Sequence, residues 1–185
     1  MEALALEVRD ELTLSIDDPF DPYVLCDKYG VPTYRLDDLS DYECSPEAVE
    51  YFLSKRPNVW SAALVPHGTA KFIVENTAHE VVRRRSNVTH ELSHLLLEHE
   101  FDRILWTDDG CRKMNPQIEK EAAYLAGELL IPKKAAIRAA FRERSNQEVA
   151  SMYNVSEKFA QWRMDASGAR RIAQRSRARD LAPRR

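Results

Sequence analysis

The stretch Asn87-Val88-Thr89-His90-Glu91-Leu92-Ser93-His94-Leu95-Leu96-Leu97 carries the pattern H-E-x-x-H inside a run of helical spacing, and it constrains the chain more than any other feature. At ~3.6 residues per turn, His90 and His94 stand one above the other, so two imidazoles can converge on one cation. Glu91 lies about 100° round the same side, near such an ion without ligating it. A catalytic zinc site takes three protein ligands and one water, so this helix supplies two and a third has to come from elsewhere. On the helical wheel Val88, Leu92, Leu95, Leu96 and His99 form an apolar arc. Asn87, His90, Glu91, His94 and Glu98 occupy the opposite side, which is available to a cleft.

The run from Asn115-Pro116 to Ile131-Pro132 meets the demand for a third ligand. Asn115 and Pro116 suit a helix start, and Pro132 marks the far end. A helix between them gathers Ile118, Glu119, Ala122, Ala123, Ala126, Leu129 and Leu130 on one arc, with Glu119 its single charge. A carboxylate inside an apolar stripe is costly unless it is paired or bound to a metal. Glu119 is therefore the expected third ligand of a Zn2+ site with His90 and His94, and Glu91 its general base. Two other arrangements stay open: Glu121 as the ligand, or Glu119 buried against Arg84 or Arg85. Ala122, Ala123 and Ala126 are small enough to let the two helices approach.

These two segments, R-R-R-S-N-V-T-H-E-L-S-H-L-L-L and then I-E-K-E-A-A-Y-L-A-G-E-L-L-I-P, resemble the ImmA/IrrE-type metallopeptidase family. The resemblance implies a zinc-dependent endopeptidase that cleaves a helix-turn-helix transcriptional repressor of the phage or mobile-element type and so relieves repression. Carried across position by position, it makes His90 and His94 the histidine ligands, Glu91 the catalytic glutamate and Glu119 the glutamate ligand. Three positions depart from the family pattern: Ser86 replaces an aromatic residue, Ser93 a glycine, and Ala123 an asparagine or aspartate that could orient a ligand.

With 185 residues, 44% of them hydrophobic, the chain is long enough for one sizeable core. No run approaches ~18 uncharged apolar residues, and Glu2, Glu7 and Arg9 do not fit a signal peptide, so a cytoplasmic protein with no membrane contact is expected. Cys26, Cys44 and Cys111 are odd in number and widely spaced, which excludes a disulfide framework and a thiolate zinc site.

The expected fold class is α+β: a small sheet of about three strands packed with a zincin-like pair of ligand helices, then a helical C-terminal segment. One domain is expected over 1–167, made of a scaffold (1–78), the zinc-site helices (79–132) and a helix-turn-helix-like segment (133–167). In the scaffold, Leu4, Val8 and Leu12 recur as on an amphipathic helix. Asp21-Pro22 opens a short helix closed by Gly30, Val31 to Leu36 reads as a strand, and Ser45-Pro46 opens a helix to about Lys55. Trp60 to Val65 and Ala70 to Glu75 form a hairpin. His67 and His79 read as loop residues, and His99 as a core or helix-end residue. Arg83, Arg84 and Arg85 precede the histidine helix, and one of them is expected to be structural. Phe101 to Met114 reads as the connection between the ligand helices, with Trp106 and Cys111 in it. Ser145 with Glu148 makes a capping box, and Ser156 starts the next helix.

The tail, 168–185, holds seven arginines against one aspartate in a chain of net charge −3. It is expected to be disordered and to make weak, salt-sensitive DNA contact. A second reading of the whole chain keeps the fold but binds a repressor or DNA without hydrolysis. Substrate-binding residues are not assigned.

Overall fold

Caps and turns written into the sequence mark the elements of a computed structural model, which describes residues 1–42, 44–99 and 115–180. In chain order these are α1 (Glu2–Glu11), α2 (Pro22–Tyr29), β1 (Thr33–Arg35), a 3-10 stretch (Leu36–Tyr42) and α3 (Pro46–Glu50), which runs into a π-helical turn (Tyr51–Lys55). The hairpin β2 (Ala62–His67) and β3 (Ala70–Glu75) comes next, then α4 (Val81–Leu96) and α5 (Pro116–Leu130). The chain continues with α6 (Lys133–Phe141), α7 (Asn146–Tyr153), α8 (Glu157–Ala166) and α9 (Ala169–Asp180). A three-stranded mixed sheet in a mostly helical chain is the expected α+β class. Two expected elements are shorter: the first strand covers Thr33–Arg35, and the helix opened by Ser45 leaves α-helical geometry after Glu50. The Phe101 to Met114 connection, with Trp106 and Cys111, lies outside the described residues.

The chain divides into two compact units, one of Asp21–Ala126 and one of Met1–Phe20 with Gly127–Arg185. This division falls inside α5, away from the sequence-based boundaries at 78, 132 and 167.

In the unit Asp21–Ala126 the strand order is β1-β3-β2, with β1 parallel and β2 antiparallel to β3. Gly68 and Thr69 form the two-residue hairpin loop, and Gly68 supplies the positive φ (60°) that such a tight turn demands. Helix α4 packs on α2, β2 and β3, burying Val88 and Leu92 completely beside Leu25, Leu64 and Ile73. Polar ties fix its pitch on the sheet. Buried Glu75 accepts from Tyr23 Oη at 2.6 Å and from Arg84 Nη1 at 3.0 Å, joining α2, β3 and α4. Arg85 reaches Asp21 at 3.3 Å, and Arg83 donates to Ser61 Oγ at 3.2 Å. All three arginines thus have structural contacts. Asn76, fully buried, donates to the carbonyls of Phe52, Pro57 and Trp60 and pins the approach to β2. Cys26 and Cys44 are free thiols, and burial raises the Cys26 pKa, which keeps that thiol protonated and inert.

The unit Met1–Phe20 with Gly127–Arg185 has an alanine-rich core, with Ala135, Ala136, Val149, Tyr153, Ala160 and Met164 buried. The inward stripe of α1 is Ala5, Val8 and Arg9, not Leu4, Val8 and Leu12. Arg9 is only 1% exposed because its guanidinium donates to the carbonyls of Leu129, Ser15 and Asp18. Glu128 is buried as well. Its carboxylate meets Arg163 at 2.5 Å and accepts from Lys133 N–H at 2.9 Å, while Arg163 Nε donates to Ile131 O. The Ser145–Glu148 capping box and the Ser156 cap are present. Most of the tail, Ala169–Asp180, is helix α9 where disorder was expected. Its arginines are interrupted by Ala169 and Ala173, four residues apart and buried, and Arg177 donates to the carbonyls of Ala140 and Phe141 at the end of α6. A short apolar stripe and a cation on a helix C-terminus together outweigh the charge. Residues 181–185 lie outside the described residues.

Candidate metal centre

Helix α4 carries His90, Glu91 and His94 where its turn geometry requires them, on the side away from buried Val88 and Leu92. The helix tolerates Ser93 at its buried face because the hydroxyl donates to Thr89 O at 2.8 Å, as Thr89 does to Arg85 O. Helix α5 brings Glu119 in its first turn, with Ala122 fully buried one turn on.

The three side chains converge. His90 Nε2 and His94 Nε2 are 3.1 Å apart, His90 Nε2 is 3.1 Å from Glu119 Oε2, and His94 Nε2 is 3.3 Å from Glu119 Oε1. Four ligands at roughly 2.0–2.1 Å from a tetrahedral ion stand about 3.3 Å from one another, which is the spacing found here. Two imidazole nitrogens and a carboxylate brought this close need a proton or a cation between them, and a single ion satisfies all three at once. These residues fit a metal ion, and among the described residues they are the group of three that could hold one. His94 is 1% exposed while His90 and Glu119 are 26% and 32% exposed, so the site has a buried wall and an open side.

The model of the IrrE N-terminal-like domain, peptidase family M78, matches residues 47–165. The chain belongs to this family. The M78 match spans both ligand helices and the hairpin, and with the His90, His94 and Glu119 triad it makes the protein a metallopeptidase. No curated protein and no solved structure matches the M78 chain.

Of the alternatives for the third ligand, Glu121 is outside the cluster: its Oε2 lies 3.5 Å from His99 Nε2. Arg84 and Arg85 meet Glu75 and Asp21, while the Glu119 carboxylate lies against the two histidines. Glu91 sits at the sheet edge, where its Oε2 accepts the Leu64 N–H of β2 at 2.9 Å. The sequence carried no sign of that bond, since a backbone donor has no residue signature. His99 departs from the helical phase assumed for it and lies beside His94, with the two Nδ1 atoms 3.0 Å apart. His67, expected in the hairpin loop, is the exposed last residue of β2, paired with Ala70. His79 is buried, its Nε2 3.3 Å from Trp60 O, and burial together with the charge of Arg83 lowers its pKa.

Proposed function

We propose that this metallopeptidase is a zinc-dependent endopeptidase and that its substrate is a helix-turn-helix transcriptional repressor of the phage or mobile-element type, whose cleavage relieves repression. The observation that carries the reading is the convergence of His90 Nε2, His94 Nε2 and Glu119 within one tetrahedral edge of one another, with Glu91 on the same helix one residue from the first ligand. Zinc is supported by the donor set of two imidazoles and a carboxylate, the set of a hydrolytic rather than a thiolate structural site. The repressor is supported by the resemblance of the two helical motifs to the ImmA/IrrE type.

A zinc ion held by His90, His94 and Glu119 would lower the pKa of a water and polarise the scissile carbonyl. The chain's own groups do the rest. Glu91 takes the proton of the attacking water and returns it to the departing amine. The Leu64 N–H holds Glu91 Oε2, which orients Oε1 for that transfer. Buried His94 gives the site its rigid wall, and the exposed side at His90 and Glu119 is where an extended peptide enters.

We also propose weak DNA contact through α9. Arg171, Arg175 and Arg179 recur every four residues, are exposed and have no ion pair among the described residues, so they form one cationic stripe. Arginines on such a stripe suit a phosphate backbone.

Purified protein, Zn2+ and a candidate repressor, followed by intact mass, test the main reading. Two repressor fragments whose masses sum to the parent plus one water support it. An unbroken complex shows a non-hydrolytic binding module instead.

A further inference from the structure

Helix α4 does not simply stop after its second histidine. Leu97 caps it, Glu98 turns into the left-handed region (φ 51°), and His99 N–H comes back to His94 O at 3.1 Å. Glycine usually takes that left-handed position; here a glutamate takes it, as Thr13, Glu143 and Asn154 do after other helices, and the turn reverses the chain. The turn brings the His99 ring against the ring of the second histidine, Nδ1 to Nδ1 at 3.0 Å, and aims its Nε2 at Glu121 Oε2, 3.5 Å away on α5.

Counting protons along this line fixes every donor. His94 directs Nε2 at His90 and Glu119, and an imidazole binds a cation through an unprotonated nitrogen. The neutral His94 ring therefore carries its proton on Nδ1 and donates it to His99 Nδ1. His99 Nδ1 must then be the acceptor, so the neutral His99 ring carries its proton on Nε2, facing the Glu121 carboxylate. From these contacts we infer that His99 and Glu121 are positioning residues of the metal centre: a carboxylate-histidine-histidine line that fixes the tautomer and rotation of His94. This rests on the metal-site reading and adds to it two residues that touch neither ion nor substrate. The two contacts differ in strength. The 3.0 Å contact is a hydrogen bond and the 3.5 Å one an electrostatic contact only, so His99 carries most of the effect and Glu121 the lesser part.

His94 is the buried ligand, its side chain 1% exposed, and no water can replace a lost partner on its Nδ1. Gln117 Nε2 donates to Glu121 Oε1 at 2.7 Å and holds that carboxylate in place. Outer partners of metal-bound histidines typically carry about 10–100-fold in metal affinity.

The test uses the full chain, with zinc affinity measured by competition with a chromophoric chelator and thermal unfolding of the metal-free protein run beside it. His99→Leu is expected to weaken zinc binding about 10–100-fold. His99→Gln keeps an acceptor towards His94 and a donor towards Glu121 on one planar group, and is expected to stay within roughly threefold of the parent. Glu121→Ala is expected to fall between them. Long-range nitrogen–proton correlation spectra of the zinc-loaded parent need no variant to fold: His94 should be protonated at Nδ1 and His99 at Nε2. A proton on His99 Nδ1, or a His99→Leu protein that holds zinc as tightly as a parent binding one ion per chain, would overturn the proposal while leaving the metal site standing. A parent that binds no zinc at all overturns both.

Discussion

Replacing Glu91 separates the bond its carboxylate makes from the proton transfer proposed for it. Its Oε2 accepts the Leu64 N–H at 2.9 Å, a structural bond between α4 and β2, and its Oε1 is assigned the proton transfer. In Glu91→Gln an amide oxygen still accepts from Leu64, so stability is expected to change by less than ~1 kcal/mol. The base is gone, and general-base catalysis is worth about 10²–10⁴ in rate, or roughly 2.7–5.4 kcal/mol of activation free energy. In Glu91→Ala the same rate is lost, and a part-buried N–H is also left without its acceptor, which costs about 1–3 kcal/mol of stability. The expected pattern is therefore equal losses of activity with unequal losses of stability, and one zinc retained per chain in both. His90→Ala provides the contrast, losing zinc and activity together. Cleavage of the repressor followed by intact mass, urea unfolding and metal analysis on the same preparations give the three readouts. Peptidase activity in Glu91→Gln within tenfold of the parent would refute the assignment of the base. Equal stability of the Gln and Ala variants would refute the structural bond.

Contacts elsewhere in the chain give three further outcomes. Arg163→Met should cost about 3–5 kcal/mol in urea unfolding, because it strands the buried Glu128 carboxylate. Adding Glu128→Gln, which still accepts from Lys133 N–H, should recover most of that, and a single-variant loss under ~1 kcal/mol would contradict the burial argument. Burial and Arg83 lower the His79 pKa, so the folded state resists protonating it; the stability this gives is present above the unfolded value of ~6.5 and is lost as pH falls from there through the depressed folded value. Unfolding midpoints across pH 7.5 to 5 should drop less in His79→Gln than in the parent. Replacing Arg171, Arg175 and Arg179 together by alanine should lower the log–log salt slope of DNA retention by about 3, on the rule of ~0.9 per phosphate contact, and an unchanged slope would remove α9 from DNA contact. Truncation after Ser167 is a poorer test, since it removes buried Ala169 and Ala173 as well as the charge.

What could be read from the chain was whatever depends on neighbours within a turn or two. Caps at Asp21, Ser145 and Ser156 and the phase of His90 against His94 are all local, and each is where the spacing put it; the hairpin loop is shorter than expected, because β2 runs past Val65 to His67 and leaves only Gly68 and Thr69 between the strands. Glu119 was legible because it interrupts an apolar arc. Arg9, Glu128 and Arg163 were not, because their burial is decided by carbonyls and partners up to 120 residues away, and a charged residue seen alone is assigned to solvent. His99 was misplaced because an ideal helix was continued past Leu96, whereas Glu98 reverses the chain and moves the ring to the metal side. The arginine count of 168–185 masked the alanine pair that makes most of it a helix.

The register of the hairpin ties this local geometry to the chemistry. Leu64 stands opposite Ile73, and its N–H points away from β3 towards Glu91. Backbone groups alternate sides along a strand with a period of two, so the backbone of Ala62 and Pro66 is also directed to the outer edge. Pro66, which has no N–H to give, is tolerated there because that edge needs no ladder bond from it. A slip of one residue would turn Leu64 N–H into the sheet and bring Ala63 or Val65 to the edge, leaving Glu91 Oε2 without its present donor. The tight Gly68-Thr69 turn forbids that slip, since a two-residue loop with positive φ at its first position fits one register only. The position of Glu91, the proposed base, therefore depends on a turn outside the H-E-x-x-H segment, through one strand and one backbone hydrogen bond.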